Sequence, residues 1–265
     1  MVSTLKSYLG ILKICTHEEK VYYWDNILWS TRTFVEPLIL LIFWGTIAHT
    51  QTTSSVGQTV IYFVFLALVG RLTSTWVASD TINYIQSGEL SHFLLSPVPG
   101  SYIAQRIVFE LNLKKSRLKV TIPLALIFYF VLSYYFSLHI PALSQLVFFP
   151  FAAISGYIIT FFLWLIVAST TFWLYHSSGV IDLVDNIIPA FDGSLIPYMF
   201  LPVALVEIFQ YLPFRYMLSF PLEIVSAPMT PEALWFGILM SLFWGIALIL
   251  LTQIVWHKGL KAYQG

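Results

Sequence analysis

Six stretches of this chain are mainly apolar over about 20 residues or more, the length an α-helix needs to cross a bilayer core roughly 30 Å thick. They run approximately Ile27–Ala48, Val56–Ser79, Val120–Ile140, Leu143–Leu174, Gly179–Phe200 and Ala233–Val255. Together they occupy most of the 265 residues. What remains is too short to bury a sizeable water-soluble core. Only 10% of the residues are charged and 58% are apolar, against about 25% charged in soluble domains. The expected fold is an all-α polytopic membrane protein, one transmembrane domain over residues 1–265. Its single cysteine, Cys15, rules out an internal disulfide framework and a cysteine-based metal site.

The distribution of Lys and Arg orients the spans. Lys6, Lys13 and Lys20 precede the first, Arg106, Lys114, Lys115, Arg117 and Lys119 follow the second, and Lys258 and Lys261 follow the sixth. Residues 50–55 and the link between spans three and four carry neither Lys nor Arg. Both termini and the connection over residues 80–119 are therefore expected in the cytoplasm, as in a multi-pass plasma-membrane (bacterial inner-membrane) protein. Residues 1–26 read as an amphipathic helix lying in the interface. Leu5, Leu9 and Leu12 recur at helical spacing opposite Lys6 and Lys13, with Tyr22, Tyr23 and Trp24 at the bilayer edge. This start lacks the compact apolar stretch of a cleavable signal. On the outer side, residues 201–232 are apolar yet rich in proline. Short helices broken by prolines and dipping into the outer leaflet explain such a segment better than a free polar loop.

No phosphate-binding loop, His-Glu-x-x-His run or Gly-x-Ser-x-Gly elbow is present. No catalytic residue and no metal site are expected. Charges inside the spans stand out instead, because each is costly unless paired or wet. Asp182, Asp185 and Asp192 of span five fall within about 80° of one another on one helix face. That face, with Asn186 beside it, should look at another helix or an aqueous path. Arg71 of span two and Asp185 lie at similar depths, about 12 Å and about 10 Å from the inner edge at 1.5 Å per residue. They form a charge pair, or else Arg71 snorkels inward or lines a wet cavity alone.

Between spans two and three, Ser87-Gly88 breaks the helix, a short amphipathic helix follows over Glu89–Leu95, and Pro97-Val98-Pro99 closes it. Leu90, Phe93, Leu94 and Val98 give it an apolar patch. Gly88 and Pro97 fix its angle as a projection suited to a partner.

These residues carry a resemblance. The segment from Gly88-Glu89-Leu90 through Leu94-Leu95-Ser96-Pro97-Val98-Pro99, the outer run Leu212-Pro213-Phe214-Arg215-Tyr216, and the exit Trp256-His257-Lys258-Gly259-Leu260 through Tyr263 stand in the order and spacing of one family. The chain resembles the permease subunits of type-2 ABC exporters, the bacterial six-span group without a fused ATPase. It departs from many relatives at Ser96, where they carry Arg. The resemblance implies a transporter working by alternating access, with a second permease copy or a related permease as partner. Cytosolic ABC ATPase subunits would bind ATP and Mg, while this chain holds no cofactor and is no enzyme. It implies that Gly88, Glu89, Leu90, Phe93, Leu94 and Pro97 couple to the ATPase, and that Pro213, Phe214, Arg215 and Tyr216 belong to the outer re-entrant region. Spans two and five would face a central path. Lipids surround the chain, and nucleic acid is not expected as a partner. The sequence leaves one alternative open: a secondary transporter coupling protons through an intramembrane carboxylate such as Asp185.

Overall fold

The computed structural model describes residues 27–28, 31–50, 56–95, 102–136, 138, 142–174 and 178–263, and among these all regular structure is helical. The elements are α1 (Val35–Thr50), α2 (Val56–Thr73), α3 (Val77–Ser87), α4 (Leu90–Leu95), α5 (Tyr102–Tyr135), α6 (Leu143–Leu146) and α7 (Phe149–Ser169). A 3-10 turn, Thr170–Phe172, continues α7. After it come α8 (Ser178–Phe191), a second 3-10 turn (Tyr198–Phe200), α9 (Val203–Phe209), α10 (Pro213–Met217), α11 (Ser219–Ser226) and α12 (Pro231–Tyr263). The N-terminal helix expected over residues 1–26 lies outside the described residues, as does Pro97.

Among the described residues four stretches are long and apolar enough to cross a membrane: Val56–Ser87, Arg117–Tyr135, Leu143–Phe172 and Pro231–Tyr263. They correspond to expected spans two, three, four and six. Span one appears as the shorter apolar helix Val35–His49. Span five departs from expectation. Instead of one helix over Gly179–Phe200, α8 has 14 residues, roughly 21 Å at 1.5 Å per residue, less than a bilayer core. Pro189 lies in its last turn, and the chain then bends at Gly193, whose φ of +90° only glycine adopts freely. Span three also differs, because α5 begins at Tyr102 and runs unbroken for 34 residues. The cations expected on a connection are therefore carried on a helix.

The helix α7 forms the centre. It packs against α12, α3, α2, α10 and α11, while α2 also meets α1 and α5. Association of helices in lipid relies on close packing, which small residues permit. The buried face of α7 carries Ala152, Ala153, Ser155 and Gly156. A Cβ on Gly156 would lie 2.8 Å from the Met217 carbonyl oxygen and 3.1 Å from that of Tyr216. Only glycine lets α7 approach that backbone.

The proline-rich segment folds as expected into short helices, and prolines sit where their missing N–H costs least. Pro213 opens α10, Pro231 opens α12, and Pro202 directly precedes α9. Tyr216, Phe220, Leu222 and Ile224 are fully buried. Several polar groups of this region are paired internally. Arg215 meets Glu223 with Nη2 to Oε2 at 2.6 Å, and the Ser219 hydroxyl donates to the same carboxylate at 2.9 Å. From α6, the buried Gln145 donates to the carbonyls of Ile224 (2.9 Å) and Ala227 (2.7 Å) and accepts from the Met229 N–H (3.1 Å).

Candidate functional site

The long second span is not one helix. It stops at Thr73, passes through Ser74, Thr75 and Trp76 without helical geometry, and restarts at Val77. A break of this kind orphans carbonyls on one side and N–H groups on the other, and neither can be left bare in a low-dielectric setting. A single turn of α5 serves both sides. The ammonium of Lys114 donates to the carbonyls of Arg71 (3.2 Å), Leu72 (3.0 Å) and Ser74, at the carbonyl end of α2. The carboxylate of Glu110, only 2% exposed, accepts from the Trp76 N–H (3.0 Å) and the Thr75 hydroxyl (2.8 Å) at the N-terminal end of α3. A cation at a helix C-terminus and an anion at a helix N-terminus each complement the helix dipole. Tyr157 of α7 donates a further bond to Glu110, at 3.2 Å. Burial pushes the Lys114 ammonium down to about 8, with Glu110 opposing the shift.

One turn further toward the start of α5, Arg106 forms an ion pair with Asp80 of α3. The Tyr102 hydroxyl is 2.8 Å from that of Thr81, also on α3. The segment after the break is thus fastened to α5 along its length.

Beyond α3, Gly88 ends the helix in the left-handed conformation (φ +79°) that favours glycine, and its N–H reaches the Ile85 carbonyl at 3.3 Å. The short helix α4 follows, and it divides the apolar patch expected there. Leu90 is wholly buried and Phe93 is half-buried, both turned toward their own chain. Glu89, His92, Leu94 and Leu95 are exposed. Phe93 packs on Tyr84 (centroids 4.7 Å apart) and Tyr102 (5.6 Å). Tyr102 stacks nearly parallel on Trp256 of α12 at 5.2 Å, and Trp256 meets Phe172, at the end of α7, at 5.3 Å. The Trp-to-Tyr exit of α12 therefore holds the base of the short helix, since Tyr263 also packs on Phe172 at 5.9 Å.

On the other side of the break lies a cleft of about 270 Å³. Its walls are the end of α2 with the break (Gly70, Thr73, Ser74, Thr75), α7 (Thr160, Trp164), and α8 with its following turn (Ile188, Asp185, Asp192). Met217, at the end of α10, and Leu218, between α10 and α11, close it. Asp182, Asp185 and Asn186 of the expected polar face are all exposed on α8; of the three only Asp185 lines this cleft, and Asn186 donates to the Asp182 carbonyl at 2.6 Å. Asp192 is 9% exposed and closes the turn after α8 by accepting from the Ser194 N–H at 2.8 Å.

Arg71 faces away from this cleft. Its Nη2 donates to the Thr33 hydroxyl at 2.7 Å, and it borders a small pocket shared with Glu110, Lys114 and Arg117. Among the described residues no ion pair joins it to Asp185, so the first of the two readings of Arg71 is not realised. In the segment over residues 201–232, Pro213 and Tyr216 are buried, Arg215 pairs with Glu223, and Phe214 packs on Phe191 of α8 at 5.7 Å. Sequence reasoning overlooked Glu110, Asp80 and Tyr157, and treated Lys114 only as a marker of sidedness. One signal was present: Arg106, Glu110 and Lys114 alternate in sign at four-residue spacing, which places them on one helix face.

A family model described as ABC-2 family transporter protein matches residues 34–265. No curated protein matches the chain.

Proposed function

The chain belongs to the ABC-2 family of transporter proteins, and on that premise we propose that it is the membrane permease of an ATP-driven exporter. ATP and Mg are bound by separate cytosolic ATPase subunits, in keeping with the absence of a phosphate-binding loop from this sequence. This chain itself catalyses no reaction. Two permeases, identical or related, frame the central path, with both termini of each on the cytoplasmic side, where Lys and Arg concentrate.

One observation carries the reading. The break at residues 74–76 has the short helix α4 on one side, through α3, and the cleft wall on the other. In this reading the ATPase grips Glu89, directly before α4, and the exposed His92, Leu94 and Leu95 of α4. Gly88 sets the angle of α4, and the buried Leu90 and Phe93 couple α4 to α3 and to the end of α12. Closure of the ATPase then moves α3 and α5 as one fastened unit, because Arg106, Glu110 and Tyr102 tie them together. The wall formed by Thr73, Ser74 and Thr75 follows, opening the cleft alternately to the two sides. The substrate is an amphiphile taken up between spans two and five.

The test is co-purification of the full-length permease with its ATPase subunit from membranes. Glu89→Arg combined with Leu94→Asp alters only exposed positions, one directly before α4 and one on it, so the variant should insert normally and lose the ATPase. Retention of the ATPase by that variant, or failure of the wild type to bring down any ATPase, contradicts the proposal. Proton-coupled transport through Asp185 makes the opposite forecast: accumulation in vesicles driven by a pH gradient without ATP. Family membership favours the first reading.

A further inference from the structure

The chemistry of the cleft walls allows the substrate class to be narrowed. Asp185 and Asp192 both line the cleft, and none of the described lining residues is Lys, Arg or His. The nearby cations Arg71, Lys114 and Arg117 border a different pocket, against α5. Among the described residues no hydrogen bond or ion pair reaches the Asp185 side chain. A carboxylate beside apolar surface needs water, a partner or a counter-charge, and among the described residues Asp185 has no counter-charge. The remaining wall is of two kinds. Thr73, Ser74, Thr75 and Thr160 offer hydroxyls, while Trp164, Ile188, Met217 and Leu218 offer apolar surface. A few placed polar groups on an apolar wall make a small-molecule site, and an indole face is the best aromatic partner for an organic cation.

We propose that this cleft binds organic cations, an ammonium or other positive nitrogen carried on an apolar, preferably aromatic, body. The proposal rests on the permease reading for its role in transport but not for binding itself. Asp185 supplies the charge at the open part of the cleft. Asp192 supplies a second station roughly 10 Å further along the helix, seven residues at 1.5 Å each. The apolar body lies against Trp164. Anions are excluded by the same two carboxylates, so discrimination comes from repulsion as well as attraction. Asp182, on the same helix but outside the cleft lining, takes no part.

The experiment uses the full-length chain in lipid nanodiscs and two permanently charged probes of similar size, benzyltrimethylammonium and toluenesulfonate. Binding is followed by equilibrium dialysis against empty nanodiscs. The cation should bind saturably and the sulfonate should not. Asp185→Asn should weaken cation binding at least tenfold, and Trp164→Leu severalfold. Asp182→Asn, one turn away and outside the cleft lining, should weaken it far less than Asp185→Asn does, which separates the cleft from general surface charge. Asp185→Lys should reverse the preference toward the sulfonate. Because Asp192 closes a turn, its variant is judged only beside a melting curve, and Asp185 carries the decision. Equal binding of both probes, or cation binding indifferent to Asp185→Asn and Asp185→Lys, overturns the proposal. The two readings fail separately. A permease that retains its ATPase but shows no cation preference sinks this inference alone, whereas cation binding without any ATPase partner sinks the permease reading alone.

Discussion

A carboxylate that is 2% exposed beside a helix break is where single residues matter most in this molecule. Glu110 accepts from Trp76, Thr75 and Tyr157 at once, so its removal strands donors that nothing nearby can serve. Glu110→Ala is expected to cost about 3 kcal/mol. In detergent the melting temperature should fall by roughly 10 °C, while Glu110→Gln, which keeps an acceptor oxygen, should lose less than half of that. An unchanged melting temperature would mean that water replaces the carboxylate. Lys114 makes a second forecast, with an unusual sign. Burial holds its ammonium at about 8, below the ordinary 10.5. The folded protein therefore bears a charging cost in full below pH 8. Between pH 8 and 10.5 the unfolded chain binds more protons, so stability from this group rises with pH across that window. The melting temperature of the wild type, measured against Lys114→Met, should climb between pH 7.5 and 10. A flat difference would show that the three carbonyls compensate fully for burial.

At the scale of elements, the second span illustrates why helices were legible and their interruptions were not. Its hydropathy is continuous from Val56 through Ser79, and no proline or glycine punctuates residues 73–77. Ser74, Thr75 and Trp76 have no strong preference against helix, so the break depends on what α5 brings alongside. The fifth span is the converse case. Apolar composition carried the expected helix to Phe200, whereas Pro189, Asp192 and Gly193 stop it at Phe191. Those three residues are visible in the sequence, and their combined effect is local. The short helix α4 was legible for a third reason: Gly88 must take a positive φ, and the pattern around it is amphipathic over less than two turns. How much of its apolar patch α4 buries was not legible, because Leu90, Phe93 and Leu94 are all apolar, and the packing of Phe93 on Tyr84 and Tyr102 joins it to other helices.

For the whole molecule, the ring contacts Phe93–Tyr102–Trp256–Phe172 connect α4, α5, α12 and the end of α7 across the sequence. If α4 drives the permease, Trp256→Ala should leave ATPase co-purification intact, since no exposed position of α4 changes. ATP-driven transport of the cation probe in proteoliposomes should then fall severalfold. Parallel loss of both readouts would make Trp256 a structural support only. The sequence alone was enough to establish that the chain is a helical membrane protein, that its Lys and Arg cluster in particular connections, and that a short helix lies between spans two and three. These follow from apolar run length, charge counts and glycine stereochemistry, all of which are local or additive along the chain. Tertiary structure decided that Arg71 turns to Thr33 and not to Asp185, that Glu110 and Lys114 close a break in another helix, and that Asp185 and Asp192 share a cleft with Trp164. Each of those outcomes depends on rotation of one helix about its axis relative to another, and that rotation is set by packing around small residues such as Gly156. An apolar pattern with nearly uniform hydrophobicity around the helix does not encode it.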